Sequence, residues 1–354
     1  MSALGWVGIS FSEAVEESSV QEAFSISPQV QGITFWLENT VWFRPIQPFE
    51  QITLYTAQLS GMLVTAQGET LAVNQSWTFS IREPAIAFLS EGELWRMNRD
   101  GNELLQLSQS GGTVIEFSPE RSGEWLAYIT HNNKGEQAIW VIDRDGENER
   151  MLLDCSQDRC GEPAWSMDQV WIAYTREAYQ ESSDGYLPAQ VWMVEVQTGE
   201  TTQLYQSDTD FTHSPSFSPD GDKLASYDIT DKGIRILDLN TLQELITPRI
   251  LQGSGEWSQD GTEILFTDAI AAQHEPFIGI YILNLETQDV VSAIGKEIGD
   301  TDFSQPRWSP DREWIAASLR PVNTNAPKAL WVIRLKDAFV IPISDDPAAT
   351  FSSY

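Results

Sequence analysis

The sequence predicts an all-β protein, an Ig-like β-sandwich followed by a β-propeller of about six four-stranded blades. Three observations predict it. An aromatic–serine–turn block recurs along the last three quarters of the chain, as in "FSPDGDKLAS" (217–226) and "WSQDGTEILF" (257–266). Period-2 apolar runs bounded by Gly, Asn and Asp fill the spaces between the blocks, with no amphipathic helical pattern. The first eighty residues alternate in the same way but lack the repeat.

Residues 1–83 carry "VGISFSEAV", "AFSISPQVQGITFWLENTVWFRP", "ITLYTAQLSG" and "SWTFSI". Short strands separated by Pro, Gly and Asn turns predict a sandwich of about seven strands. The stretch resembles a bacterial Ig-like module, which opens on Ile9, Phe11, Ser12, Glu13 and Val15 and closes on Trp77 and Phe79. Such modules serve as surface-exposed spacers or adhesive repeats, so the resemblance implies an extracytoplasmic setting. The domain boundary is expected at Glu83–Pro84, leaving residues 84–354 for the propeller.

In the second part the aromatics Phe117, Trp165, Phe217, Trp257 and Trp308 each precede a serine, at separations of 48, 52, 40 and 51 residues. A strand-rich unit of that period is the signature of a propeller. Asp-Gly and Pro-Asp supply tight turns, and each unit continues into a strand such as "AIWVIDRDG" or "GIRILDLNT". "AIAFLSEGELWRMNRDGNELLQLS" (85–108) makes three strands without the serine block. The terminal "ATFSSY" resembles the lead-in "DTDFSQPRW", so the first blade is expected to close with a C-terminal strand that looks clipped. These blocks resemble the TolB-like propeller family, through "FSPDGDKLAS" and "ELWRMNRDG" above all. "WSMDQVW" and "SPERSGEW" depart from the pattern. The resemblance implies a binding role in envelope assembly.

Composition narrows the partners. A formal charge of −31, from 52 acidic and 21 basic residues, repels phosphate backbones and anionic headgroups, which leaves a protein or peptide partner and no nucleic acid. Fourteen Trp oppose disorder. No apolar run is long enough to span a membrane, and the start "MSALGWVGISFSEAV" lacks the pattern of a signal peptide. An extracytoplasmic monomer is expected, with its secretion signal outside this sequence. Cys155 and Cys160 read as a loop staple of an oxidising compartment, the alternative being two free thiols.

No catalytic motif stands out. There is no G-x-S-x-G, and the three histidines, His131, His213 and His274, fall in different units. The competing class is the propeller part of a hydrolase, peptidase-associated or carbohydrate-active. No organic cofactor is expected. Ca²⁺ is the one ion suggested, by Asp208, Asp210, Asp300 and Asp302, which recur as "SDTDF" and "GDTDF" before two inner strands. The acidic turns "NRDGNE" and "DRDGENE" read as hairpin turns because their Gly comes one step early for a calcium loop. Trp95, Trp140, Trp192, Ile236, Tyr281 and Trp331 share one strand position and are assigned to packing between blades. The long polar insertion 176–190, with Tyr179 and Tyr186, is the expected recognition surface, and His213 is placed with it as partner-binding.

Overall fold

The computed structural model describes residues 6–37, 39–47, 49–50, 53–81, 85–98, 101–205, 210–270, 277–294, 301–309, 311–321 and 328–343. Two compact units emerge, one of residues 1–132 with 139–152 and one of residues 133–138 with 153–354. The expected boundary at 83–84, the closing strand after residue 343 and His274 lie outside the described residues.

The first unit begins with the sandwich. Val7–Ser10, Thr40–Pro45 and Gly32–Leu37 form one three-stranded sheet, and Phe24–Ser27, Leu54–Val64 and Thr70–Ser80 form the other. Between them sit Val20, Val41, Leu59 and Leu63, with Phe43, Phe49 and Tyr55 at the far end. Among the described residues the sandwich has these six strands, and a helix, Glu17–Ala23, appears where none was read. At seven residues it shows too little apolar period to be visible, and it forms because Val20 and Ala23 drop into the core. Ser19 ties it to the neighbouring strand by donating to the Glu16 carbonyl and accepting the Val64 N–H.

The propeller strands follow as antiparallel sheets. The first blade has three strands, Ala85–Ser90, Glu93–Asn98 and Leu105–Gln106. The second has four, Val114–Pro119, Trp125–His131, Gln137–Asp143 and Arg150–Cys155. Four more blades start at Arg159–Trp165, Thr212–Phe217, Glu256–Trp257 and Thr301–Trp308, each with three strands after it in the blade's own order. The fifth and sixth blades also touch through a parallel pairing of Ile278 with Asp302.

The second strands of the second, third and fourth blades depart from the alternation expected of a half-exposed sheet. Leu126–Ile129, Ile172–Thr175 and Leu224–Asp228 are buried at every position, because each blade is covered on both faces. Within the second unit the shared cores run from blade to blade: Ala173, Val191, Leu224 and Leu237 in one, Ile236, Trp257 and Phe266 in the next, Leu265, Ile280, Phe303 and Ile315 in the last. Trp140 and Trp331 flank such cores, partly buried, as the packing assignment requires.

The repeated serine block now has a physical reason. Ser166, Ser218, Ser258 and Ser309 each donate from Oγ to the Asp two residues on, at 2.5–2.7 Å. Each Oγ also accepts the N–H of the residue five places on, at 2.9 Å. The residue at the third place adopts positive φ: Gln169, Gly221, Gly261 and Arg312, at 63°, 82°, 73° and 60°. Glycine is the low-strain choice there, and two blades do without it. The second blade departs differently. Its turn is set by Glu120 rather than Ser118, with the carboxylate accepting the N–H groups of Ser122 and Glu124 and Gly123 at the positive-φ place.

The residue after Glu120, Arg121, lies over the ring of Trp6 at 4.4 Å, and Trp6 packs edge-on to Phe35 and Trp42. Burial, with Arg44 nearby, lowers the Arg121 guanidinium to about 10.

Candidate functional site

Three inner strands share a feature the serine block does not announce. Glu162, Ser214 and Gln305 each stand three residues before the blade's aromatic and directly before a proline. Each has positive φ, at 54°, 54° and 50°, and each lies within a register shift of its strand. A bulge at a fixed place re-aims one side chain per blade.

In the third and fourth blades the re-aimed groups meet. The Glu162 carboxylate accepts the Ser214 N–H, the Ser214 hydroxyl and the Thr175 hydroxyl, all at 2.6 Å. His213 Nδ1 is 2.8 Å from Ser214 Oγ and 3.7 Å from Glu162 Oε2. The one proton of Ser214 goes to Glu162, so the imidazole presents Nδ1–H. Burial by itself would raise the Glu162 carboxyl, but the donors His213, Ser214 and Thr175 outweigh it and hold the group at about 2.

A cleft of about 550 Å³ opens on this cluster, with Gln137, Arg159, Glu177 and Gln252 on its walls. The 176–190 insertion borders it through Pro188 and Ala189. That insertion is a small hairpin in which Tyr179 pairs with Tyr186, ring centroids 5.6 Å apart, and both rings are exposed. Arg159 joins hairpin to cleft, its guanidinium 4.1 Å over the Tyr186 ring and 3.5 Å from Glu177. Cys155 and Cys160, buried at the cleft edge, are joined in a disulfide.

His213 thus lines the cleft, and the hairpin of Tyr179 and Tyr186 lies beside it, reached through Arg159. The structure does not bring the four aspartates together among the described residues. Asp208 and Asp300 lie outside those residues. Asp210 pairs with Arg235 at 3.2 Å, and Asp302 pairs with Arg320 and Lys328 at 3.0 and 3.2 Å. Each of these two carboxylates is thus paired with cationic neighbours. Among the described residues no three His, Cys, Asp or Glu side chains gather as metal ligands. The turn "DRDGENE" is closed by Asp143 accepting the N–H groups of Asp145 and Glu147, a hairpin arrangement. His131 is exposed in the second blade.

Glu162, Ser214 and Thr175 were missed by sequence reasoning. A signal existed: "EPAWS", "SPSFS" and "QPRWS" repeat a proline two residues before the aromatic. A neighbouring inner-strand acid, Glu256, sits 3.5 Å from Arg307. Burial pushes its carboxyl up to about 7 against the pull of that arginine.

Residues 4–81 match the family model of the bacterial Ig-like domain. A stretch of 107 residues is 31% identical to the Tol-Pal system protein TolB of Francisella tularensis, covering 28% of this chain and 22% of that protein. The matched part thus spans about a fifth of the length of those relatives. TolB from Acinetobacter baumannii superimposes with a TM-score of 0.51 at 14% identity, over 82% of this chain and 77% of that one. An oligogalacturonate lyase from Vibrio parahaemolyticus does so with a TM-score of 0.56 at 12% identity, over 96% and 86%. At such identities the solved structures establish the fold. Among the described residues no helix is long and apolar enough to cross a membrane.

Proposed function

We propose that this chain, a bacterial Ig-like domain followed by a TolB-like propeller fold, is an extracytoplasmic binding protein whose partner is a protein or peptide. The observation that carries the reading is the pairing of a cleft, on whose walls stand Gln137, Arg159, Glu177 and His213, with an exposed tyrosine hairpin beside it. Tyr179 and Tyr186 offer large, stiff contact area at low entropy cost, the chemistry that anchors protein interfaces. Gln137, Gln252 and His213 supply donors and acceptors for a peptide backbone entering the cleft. The Cys155–Cys160 disulfide supports an oxidising compartment, as does the likeness to a protein of the Tol-Pal system. The Ig-like part acts as spacer or docking module, and the chain works as a monomer.

A second reading, an enzyme, draws on the His213–Ser214–Glu162 array and on the fold shared with a lyase. The chemistry favours binding. Ser214 is turned to Glu162, and Thr175 donates to the same carboxylate, so the array is a closed hydrogen-bonded cluster beside the cleft.

The test is site-directed photo-cross-linking, with p-benzoylphenylalanine in place of the exposed Leu187 beside the hairpin. One discrete cross-linked protein band is expected, lost in a Tyr179→Ala/Tyr186→Ala double variant and in His213→Ala. A band that survives all these changes sinks the site. Turnover of oligogalacturonate or peptide substrates by the purified chain, abolished by Ser214→Ala, would put the enzyme reading in its place.

A further inference from the structure

The tyrosine hairpin is short, with two residues per strand, and such a ribbon is marginal in water by itself. Something outside it must hold Tyr179 and Tyr186 at the cleft, and the contacts identify what. The six-residue segment from Cys155 to Cys160 is closed by its disulfide, and its middle residues reach the hairpin base. Asp158 accepts from Arg176 Nε at 2.7 Å and from the Tyr179 backbone N–H at 2.9 Å, so one carboxylate holds the strand entering the hairpin and the first tyrosine. Arg176 is fixed from its other side by the Trp192 ring, 4.5 Å below its guanidinium. Arg159 grips the return strand, through its stacking on Tyr186. Asp158 itself is oriented by the turn in which its N–H donates to the Cys155 carbonyl at 3.1 Å.

We infer that Asp158, presented by the disulfide-closed loop 155–160, is the positioning residue of the recognition hairpin. The inference rests on the binding reading of the cleft and says how its rim is assembled. The loop also lines the cleft, through Arg159 and Cys160. It converts a ribbon that would sample many conformations into one that is ordered before the partner arrives, which lowers the entropy cost of binding. Its two arms act on different strands, Asp158 on the entering one and Arg159 on the returning one, so opening the ring releases both.

The test uses the full chain and needs no ligand. Amide hydrogen exchange is followed at Tyr179 and Leu187, whose N–H groups are held by Asp158 and by the Ala178 carbonyl. Asp158→Ala should speed exchange at both amides by ten-fold or more, with the rest of the third blade unchanged, since the bonds lost are those to Arg176 and to the Tyr179 N–H. Asp158→Asn keeps an acceptor for the Tyr179 N–H but loses the ion pair to Arg176, so it should rescue the Tyr179 amide in part. A Cys155→Ser/Cys160→Ser double variant should loosen the same two amides. Unchanged exchange at the hairpin in both Asp158→Ala and the double serine variant overturns the inference. Faster exchange throughout the third blade overturns it too, because Asp158 would then be a stability residue of the blade. If the hairpin loosens as expected while the cross-linked band from position 187 persists undiminished, the inference stands and the binding reading of the cleft falls.

Discussion

Replacing Ser218 with alanine tests the account of the repeated turn more directly than any change at the cleft. Ser218 is fully buried, and its hydroxyl and backbone N–H together hold the turn between the first two strands of the fourth blade. It donates to Asp220 at 2.5 Å and accepts the Lys223 N–H at 2.9 Å, while the Ser218 backbone N–H pairs with the Lys223 carbonyl. Alanine fills the same space, so no cavity term arises and the cost is polar. The Lys223 N–H loses its acceptor in a buried turn, about 1–3 kcal/mol. Asp220 loses a charge-assisted bond but keeps its bond from the Asp222 N–H, so its share is smaller, about 1 kcal/mol. The total is about 2–4 kcal/mol, well above the ~1 kcal/mol of an ordinary hydrogen-bond deletion. Urea unfolding followed by tryptophan fluorescence measures it, with an unchanged m-value as the sign that the unfolded state is not responsible. A loss below about 1 kcal/mol would refute the view that the serine holds the turn, and would return the repeat to a matter of turn propensity alone.

Other outcomes follow from the same structure. Gln169→Gly should stabilise by about 1 kcal/mol, because Gln169 occupies the positive-φ place that glycine takes in the fourth and fifth blades, and a lower melting temperature would contradict this. Glu256 has its carboxyl raised from 4.5 to about 7, so the folded chain retains a proton that the unfolded chain releases, and stability falls as pH rises through that window. Glu256→Gln should flatten stability between pH 4.5 and 7 and add up to about 3 kcal/mol above it; identical pH profiles for the two proteins would count against the buried carboxyl. Trp140→Ala should cost about 3 kcal/mol, from a partly buried ring that stacks on Tyr128 and donates to Thr130; a change under half a kilocalorie would remove it from the packing between blades.

The propeller was legible in the sequence because its turn is local. Ser218, Asp220, Gly221 and Lys223 lie within six residues, so their mutual bonding leaves a mark that repeats with each blade. The site was legible only in part, since it depends on residues far apart in the chain. Glu162 and Ser214 are 52 residues apart, and nothing in either segment states that the bulge of one blade aims at the bulge of the next. The aspartates show the same dependence on distant partners. "SDTDF" and "GDTDF" look alike, yet Asp210 and Asp302 are answered by Arg235 and by Arg320 with Lys328, partners that a linear reading does not pair with them. Glu120 escaped because it does a serine's work with a longer side chain, two residues out of step with Ser118.

The contact of Arg121 with Trp6 gives the chain a load path. The ring belongs to the Ig-like module and the guanidinium to a turn of the second blade, so a pull on the module is shared between the covalent chain and this side-chain contact. Force then reaches the second blade at its Glu120 turn as well as the first blade at its leading strand.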